Sequence, residues 1–127
     1  MVDVKIRKIL VVDDEEEILK FLVKTLERFN YQVITADSGY RAIELAKKTR
    51  PEAIILDIIL PDMRGEEIKK ILSEDIETKN IPVIFLTGIL SKDEQLIFEK
   101  LAGKCYTLAK PASTEEILET LEKAFKE

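Results

Sequence analysis

Histidine is absent from all 127 residues. The chain therefore has no imidazole to serve as general base, metal ligand or phosphocarrier, and its chemistry must run on Asp, Glu, Lys, Ser, Thr, Tyr or Cys. Cysteine occurs once, at Cys105, which excludes an internal disulfide and points to a reducing, cytoplasmic setting. A lone cysteine reads more readily as a small buried hydrophobe than as a reactive thiol. Met1-Val2-Asp3-Val4-Lys5 lacks the apolar core of a signal peptide, and no run of about 18 apolar residues exists, so membrane insertion is not expected. Lys and Arg are nowhere concentrated and the net charge is -5. Phosphate backbones are bound by clustered cations, so direct nucleic-acid binding is not expected either.

What remains is a globular balance, 46% hydrophobic and 35% charged, in a length that suits one domain with its own core. The chain is organised around Ala53-Ile54-Ile55-Leu56-Asp57, an apolar run without alternation that ends in a carboxylate. Such a run reads as a strand buried on both faces at the centre of a parallel sheet. In open α/β sheets the chemistry sits at the carboxyl ends of strands, where Asp57 surfaces. Taken alone, Asp57 reads equally well as a turn residue leading into Ile58-Ile59-Leu60-Pro61.

Lys8-Ile9-Leu10-Val11-Val12 is a second such run and also ends in acid, Asp13-Asp14-Glu15-Glu16-Glu17. Acid in a first helical turn suits the positive helix end, which accounts for the glutamates better than for two adjacent aspartates ahead of the helix. Ile18, Leu19, Leu22, Leu26 and Phe29 predict that helix's apolar stripe, and Asn30 closes it. Tyr31 to Ala36 predicts a second strand, Asp37-Ser38-Gly39 a turn, and Tyr40 to Lys48 a helix with Ala42, Ile43, Leu45 and Ala46 inward. Pro61-Asp62-Met63-Arg64-Gly65 is turn chemistry before a third helix, Glu66 to about Glu74, with Ile68, Ile71 and Leu72 inward.

Val83 to Leu86 predicts a fourth strand that ends in Thr87-Gly88. A capping box, Ser91-Lys92-Asp93-Glu94, opens a helix carrying Ile97, Phe98 and Leu101, which Gly103 ends. Cys105 to Ala109 predicts a fifth strand with Lys110-Pro111 at its carboxyl end. A second box, Ser113-Thr114-Glu115-Glu116, precedes Ile117, Leu118, Leu121 and Phe125. Strands alternating with helices in this way predict a parallel sheet covered on both faces, because right-handed crossovers leave few alternatives.

In such a sheet Asp13, Asp14, Asp57, Thr87 and Lys110 all arrive at one edge. Carboxylates gathered there repel one another, which raises at least one pKa unless a cation sits among them. Oxygen donors without His or a thiolate cluster suit a hard ion, Mg²⁺ before others, which takes one or two carboxylates and leaves room for phosphate oxygens. A lysine and a hydroxyl facing the same point suit the remaining oxygens of a phosphoryl group.

Four motifs then occur in order: Asp13-Asp14 after a hydrophobic strand, Asp57 followed by Pro61 and Gly65, Thr87-Gly88, and Lys110-Pro111. Together they resemble the receiver domain of a two-component response regulator, over essentially the whole chain. The resemblance implies a single receiver domain, residues 1-127, with no effector domain. Its fold would be a doubly wound five-stranded parallel sheet of the (βα)5 flavodoxin-like, CheY-like type, with strand order 2-1-3-4-5. It implies that Asp57 accepts a phosphoryl group from a phosphohistidine of a histidine kinase or histidine phosphotransfer protein. Asp14 and Asp57 would hold Mg²⁺, or Mn²⁺ as a substitute, with the backbone carbonyl of Ile59, and Asp13 would act through a water. Lys110 would pair with the phosphoryl oxygens, Thr87 would turn towards them after transfer, and the Lys110-Pro111 bond would be cis. The output would be a downstream effector protein or effector domain reading the face of helix four, strand five and helix five. The chain itself would be no enzyme beyond its own phosphorylation and dephosphorylation.

The sequence departs from the pattern in one place. Many receivers carry Tyr or Phe three residues before the lysine, but here that position is Thr107 and the ring is Tyr106, which a strand points to the opposite face. Ile59 and Ile89, two residues beyond Asp57 and Thr87, are candidates to shield the acyl phosphate from water, and equally read as loop packing. Ile18 and Phe21 are candidates for part of the docking patch for the histidine-bearing partner. Three rivals remain: a flavodoxin-like nucleotide module, a phosphatase of the haloacid dehalogenase type, and a pseudo-receiver that binds partners without phosphorylation. The first lacks a phosphate loop after strand one and the second a second acid at Ile59.

Overall fold

The computed structural model describes residues 6–88, 92–102 and 106–126. The expectations placed on Ser91, Gly103, Cys105 and Ile89, and on the side chains of Ile97 and Leu101, lie outside what is described. Five strands alternate with five helices: β1 (Lys8–Val12), α1 (Glu16–Arg28), β2 (Gln32–Ala36), α2 (Gly39–Thr49), β3 (Ala53–Asp57), α3 (Gly65–Ser73), β4 (Val83–Thr87), α4 (Lys92–Ala102), β5 (Tyr106–Ala109) and α5 (Thr114–Lys126). All strand pairs are parallel, in the order β2-β1-β3-β4-β5.

Burial follows position in that order. Every residue of the central β3 is buried, whereas the edge strands β2 and β5 mix exposed and covered positions. Alternation along the strands divides the core into two layers. Leu10, Val12, Ile54, Leu56 and Phe85 face α2, α3 and α4 through Ala42, Ala46, Ile68, Leu72 and Phe98. Ile9, Val11, Ile55, Ile84 and Leu86 face α1 and α5 through Leu22, Leu26, Ile117 and Leu121. Phe85 and Phe98 meet edge to face, with ring centroids 4.7 Å apart.

Helix ends follow the sequence closely. Asn30 turns the chain after α1 with φ 68°, a left-handed conformation that asparagine tolerates. Ser113 and Glu116 exchange both bonds of a capping box at 3.1 Å. Two inward expectations fail. Phe29 stands beyond the last turn of α1 and is 45% exposed, and Ile71, one step round α3 from the buried Leu72, is 39% exposed. In α3 the line through Ile68 and Leu72, spaced by one turn, already fills the interface. Among the described residues no helix is long and apolar enough to cross a membrane.

Candidate functional site

The ladder continues one step past three strand ends and so delivers the site residues. Asp13 N–H donates to Ala36 O at 3.1 Å, Ile58 N–H to Leu86 O at 3.3 Å, and Lys110 N–H to Thr87 O at 2.7 Å. Asp57 closes β3 opposite Leu86, and Thr87 closes β4 opposite Ala109.

Side chains from separate strands meet there. Lys110 Nζ lies 2.9 Å from Asp13 Oδ2, 3.1 Å from Asp57 Oδ2 and 3.5 Å from Glu15 Oε1. Asp13 is fully buried and Asp57 is 7% exposed, while Asp14 is exposed to solvent. One carboxylate oxygen from each of Asp13, Asp14 and Asp57 lies within 4.8 Å of the others. The ammonium reaches the buried Asp13 Oδ2 off the hydrogen-bonding direction, so this oxygen keeps unused acceptor capacity. An all-carboxylate donor set with such an oxygen fits a hard, oxygen-binding cation.

Burial pushes the Asp57 carboxyl above its ordinary range, against the lowering effect of its bond from Lys110. For Lys110 burial acts downward, but the adjacent carboxylates of Asp13 and Asp57 outweigh it and hold the ammonium above its ordinary value. Lys110 therefore stays charged at neutral pH. The Lys110-Pro111 bond is cis.

Thr87 and Ile59 stand beside this cluster in different ways. Thr87 stands at the expected strand end, yet its hydroxyl donates to Gly88 O at 2.9 Å. Ile59 N–H donates to Asp57 Oδ1 at 3.2 Å, whereas its side chain is 64% exposed. Tyr106 packs into the layer shared with α5, its hydroxyl donating to Lys123 O at 3.5 Å, and Thr107 is exposed. The ring thus lies on the face that the one-residue shift predicts.

Sequence reasoning missed the third partner of Lys110, Glu15, which first-turn acid explained equally well. It also missed the local need for Gly65. A Cβ there would stand 3.0 Å from Ile58 Cα, 3.1 Å from Phe85 Cε1 and 3.2 Å from Asp57 O. Beside the carboxylates a hollow of about 410 Å³ is lined by Glu15, Ile18, Phe21, Leu22, Lys110 and Pro111.

Comparison with known proteins agrees with this geometry. Residues 9–122 match the response regulator receiver domain family. Protein PilH of Pseudomonas aeruginosa is 33% identical over 116 residues, covering 90% of this chain and 93% of PilH. The polar-differentiation response regulator DivK of Brucella anthropi is 31% identical over 115 residues, covering 91% of this chain and 93% of DivK. Among solved structures, chemotaxis response regulator CheY4 of Vibrio cholerae superposes with a TM-score of 0.85 at 32% identity, over 94% of this chain and 99% of that one. With its parallel sheet in the order 2-1-3-4-5 and its acids gathered at one edge, the chain belongs to the response regulator receiver domain family of two-component signalling.

Proposed function

We propose that the chain works as a cytoplasmic receiver domain whose Asp57 accepts a phosphoryl group from a histidine kinase or histidine phosphotransfer protein. The observation that carries this reading is the convergence of Asp57 Oδ2 and Asp13 Oδ2 on the Lys110 ammonium, at 3.1 and 2.9 Å. Asp57 is the chemically suited acceptor. It closes the most buried strand, is nearly dry, and has one oxygen held by Lys110 and the other by the Ile59 amide.

An Asp57 carboxylate oxygen attacks phosphorus as the bond from phosphorus to the partner's imidazole nitrogen breaks. The imidazole keeps that electron pair and takes a proton from water, leaving an acyl phosphate on Asp57. Lys110, already within reach, pairs with the phosphoryl oxygens and offsets their charge. Asp14 and Asp57, with the Ile59 carbonyl, would hold Mg²⁺, Mn²⁺ serving as a substitute, and Asp13 would orient a bound water. Such an ion neutralises charge between carboxylates and phosphoryl oxygens.

Thr87 then exchanges its Gly88 carbonyl for a phosphoryl oxygen, which biases the α4, β5 and α5 face read by an effector protein or effector domain. Moving such an equilibrium from 1:99 to 99:1 takes about 5.5 kcal/mol, within reach of several charge-assisted bonds. The hollow beside Lys110 supports Ile18 and Phe21 as part of the docking patch, since Phe21 is 46% exposed there. Ile59 is proposed to shield the acyl phosphate from attacking water.

Intact mass after incubation with acetyl phosphate and Mg²⁺ tests the reading, beside Asp57→Ala and a chelated sample. A single phosphoryl adduct that vanishes in both controls is the expected result. No adduct on a folded chain, and no response to beryllofluoride, would favour a phosphorylation-independent pseudo-receiver.

A further inference from the structure

Pro61-Asp62-Met63 forms the outer bend of the β3–α3 loop, which the sequence marks only as turn chemistry. Asp62 reaches from this bend to the start of α2. Its Oδ1 accepts the Gly39 N–H at 2.8 Å and its Oδ2 the Tyr40 N–H at 2.9 Å. These are donors that a helix end leaves without intrahelical partners, and Ser38 Oγ accepts a third from Arg41 at 3.2 Å. The two amide bonds hold the Asp62 carboxyl below its ordinary range. Alongside, Met63 fills the space that Gly39 leaves. A Cβ on Gly39 would stand 2.2 Å from Met63 Cγ and 2.8 Å from its Sδ. Charge and packing together hook the bend onto α2.

The same loop carries the backbone nearest Asp57. Ile59 N–H donates to Asp57 Oδ1 at 3.2 Å, Ile59 pairs with Arg64 in an antiparallel bridge, and Gly65 N–H donates to Ile58 O at 2.6 Å. These contacts close the loop at its base, and Asp62 fixes its far end. Its neighbour Arg64, although it precedes α3, gives that helix no side-chain cap and pairs with Glu66 at 2.8 Å instead. The polar anchor of the bend therefore lies on α2.

We infer that Asp62 is a positioning residue for phosphoryl transfer, capping α2 from outside and thereby holding the β3–α3 loop and the Ile59 backbone in register with Asp57. The inference rests on the proposed acceptor role of Asp57. Asp62 acts through the loop backbone and touches no reacting atom.

Three variants separate positioning from simple helix capping. Ser38→Ala removes a cap from the same end of α2 without touching the loop. Both Ser38→Ala and Asp62→Ala lower Tm, but only Asp62→Ala raises the Mg²⁺ Kd and slows labelling by acetyl phosphate, each about tenfold. It alone speeds hydrogen exchange at the Ile59 and Gly65 amides. Asp62→Asn keeps one acceptor oxygen and recovers part of each loss. Equal behaviour of Asp62→Ala and Ser38→Ala in affinity, labelling and exchange would overturn the inference, with wild-type labelling intact. If the wild type itself takes no label, the acceptor reading fails instead, and the exchange comparison still decides whether Asp62 holds the loop.

Discussion

The chain leaves β3 and β4 on the same edge of the sheet, yet the two exits are built differently. After β3, Ile58 and Leu60 are 2% and 7% exposed, a Cβ on Gly65 would stand within 3.2 Å of three atoms, and Asp62 ties the bend to α2. After β4, Gly88 is exposed and, among the described residues, a Cβ there would meet nothing within 4 Å, while the Thr87 hydroxyl donates to its neighbour's carbonyl. One exit is fixed and the other has room. That division suits the roles proposed for the two residues, Asp57 as an acceptor held still and Thr87 as a hydroxyl that moves.

The largest effect that sharpens this contrast comes from the glycines. Gly65→Ala forces a methyl against the Ile58 backbone and the Phe85 ring, so it costs about 1–3 kcal/mol in urea unfolding. Gly88→Ala stays within about 0.5 kcal/mol of wild type. Equal costs at the two positions would erase the distinction.

A smaller effect concerns charge at the fixed exit. Because the folded-state pKa of Asp57 is raised, the folded chain holds that proton more tightly than the unfolded chain. Its contribution to stability is therefore fully present below the ordinary carboxylate pKa and is lost as pH rises through the raised value. Above that raised value, without metal, the wild type carries the penalty of an ionised Asp57. Asp57→Asn should accordingly melt higher than wild type on the alkaline side of it, and the gap should close as the solution is acidified. Lys110 contributes in a different window: its raised pKa gives stability that persists through neutrality and is lost only in strong alkali. A thermal series across pH with and without Asp57→Asn checks both signs.

The same contrast explains what the sequence disclosed. Strand β3 was legible because burial on both faces demands an unbroken apolar run, and the acids at strand ends were legible because a parallel sheet sends those ends to one edge. The Asp62 anchor was not, since its partners lie 22 and 23 residues away and are backbone amides, which every sequence supplies. Glu15 was hidden because a first-turn acid already has a local explanation. Ile71 misled because helical periodicity gives the direction of an apolar face but not its width.

The smallest effect expected lies on β5, the strand that pairs with β4. Tyr106 packs against the α5 layer, and its hydroxyl donates to Lys123 O at 3.5 Å. Thr107, in the position where many receivers carry a ring, is exposed. If the signal passes through Thr87 without an aromatic partner, Tyr106→Ala should lower Tm modestly yet leave the beryllofluoride-induced NMR shifts of α4 and α5 in place. Thr87→Ala should do the reverse, sparing Tm and Mg²⁺ affinity while abolishing those shifts. Loss of the shifts in a folded Tyr106→Ala protein would mean that the ring couples the site to its output from the α5 side of the sheet, and the open exit after β4 would no longer suffice to explain the switch.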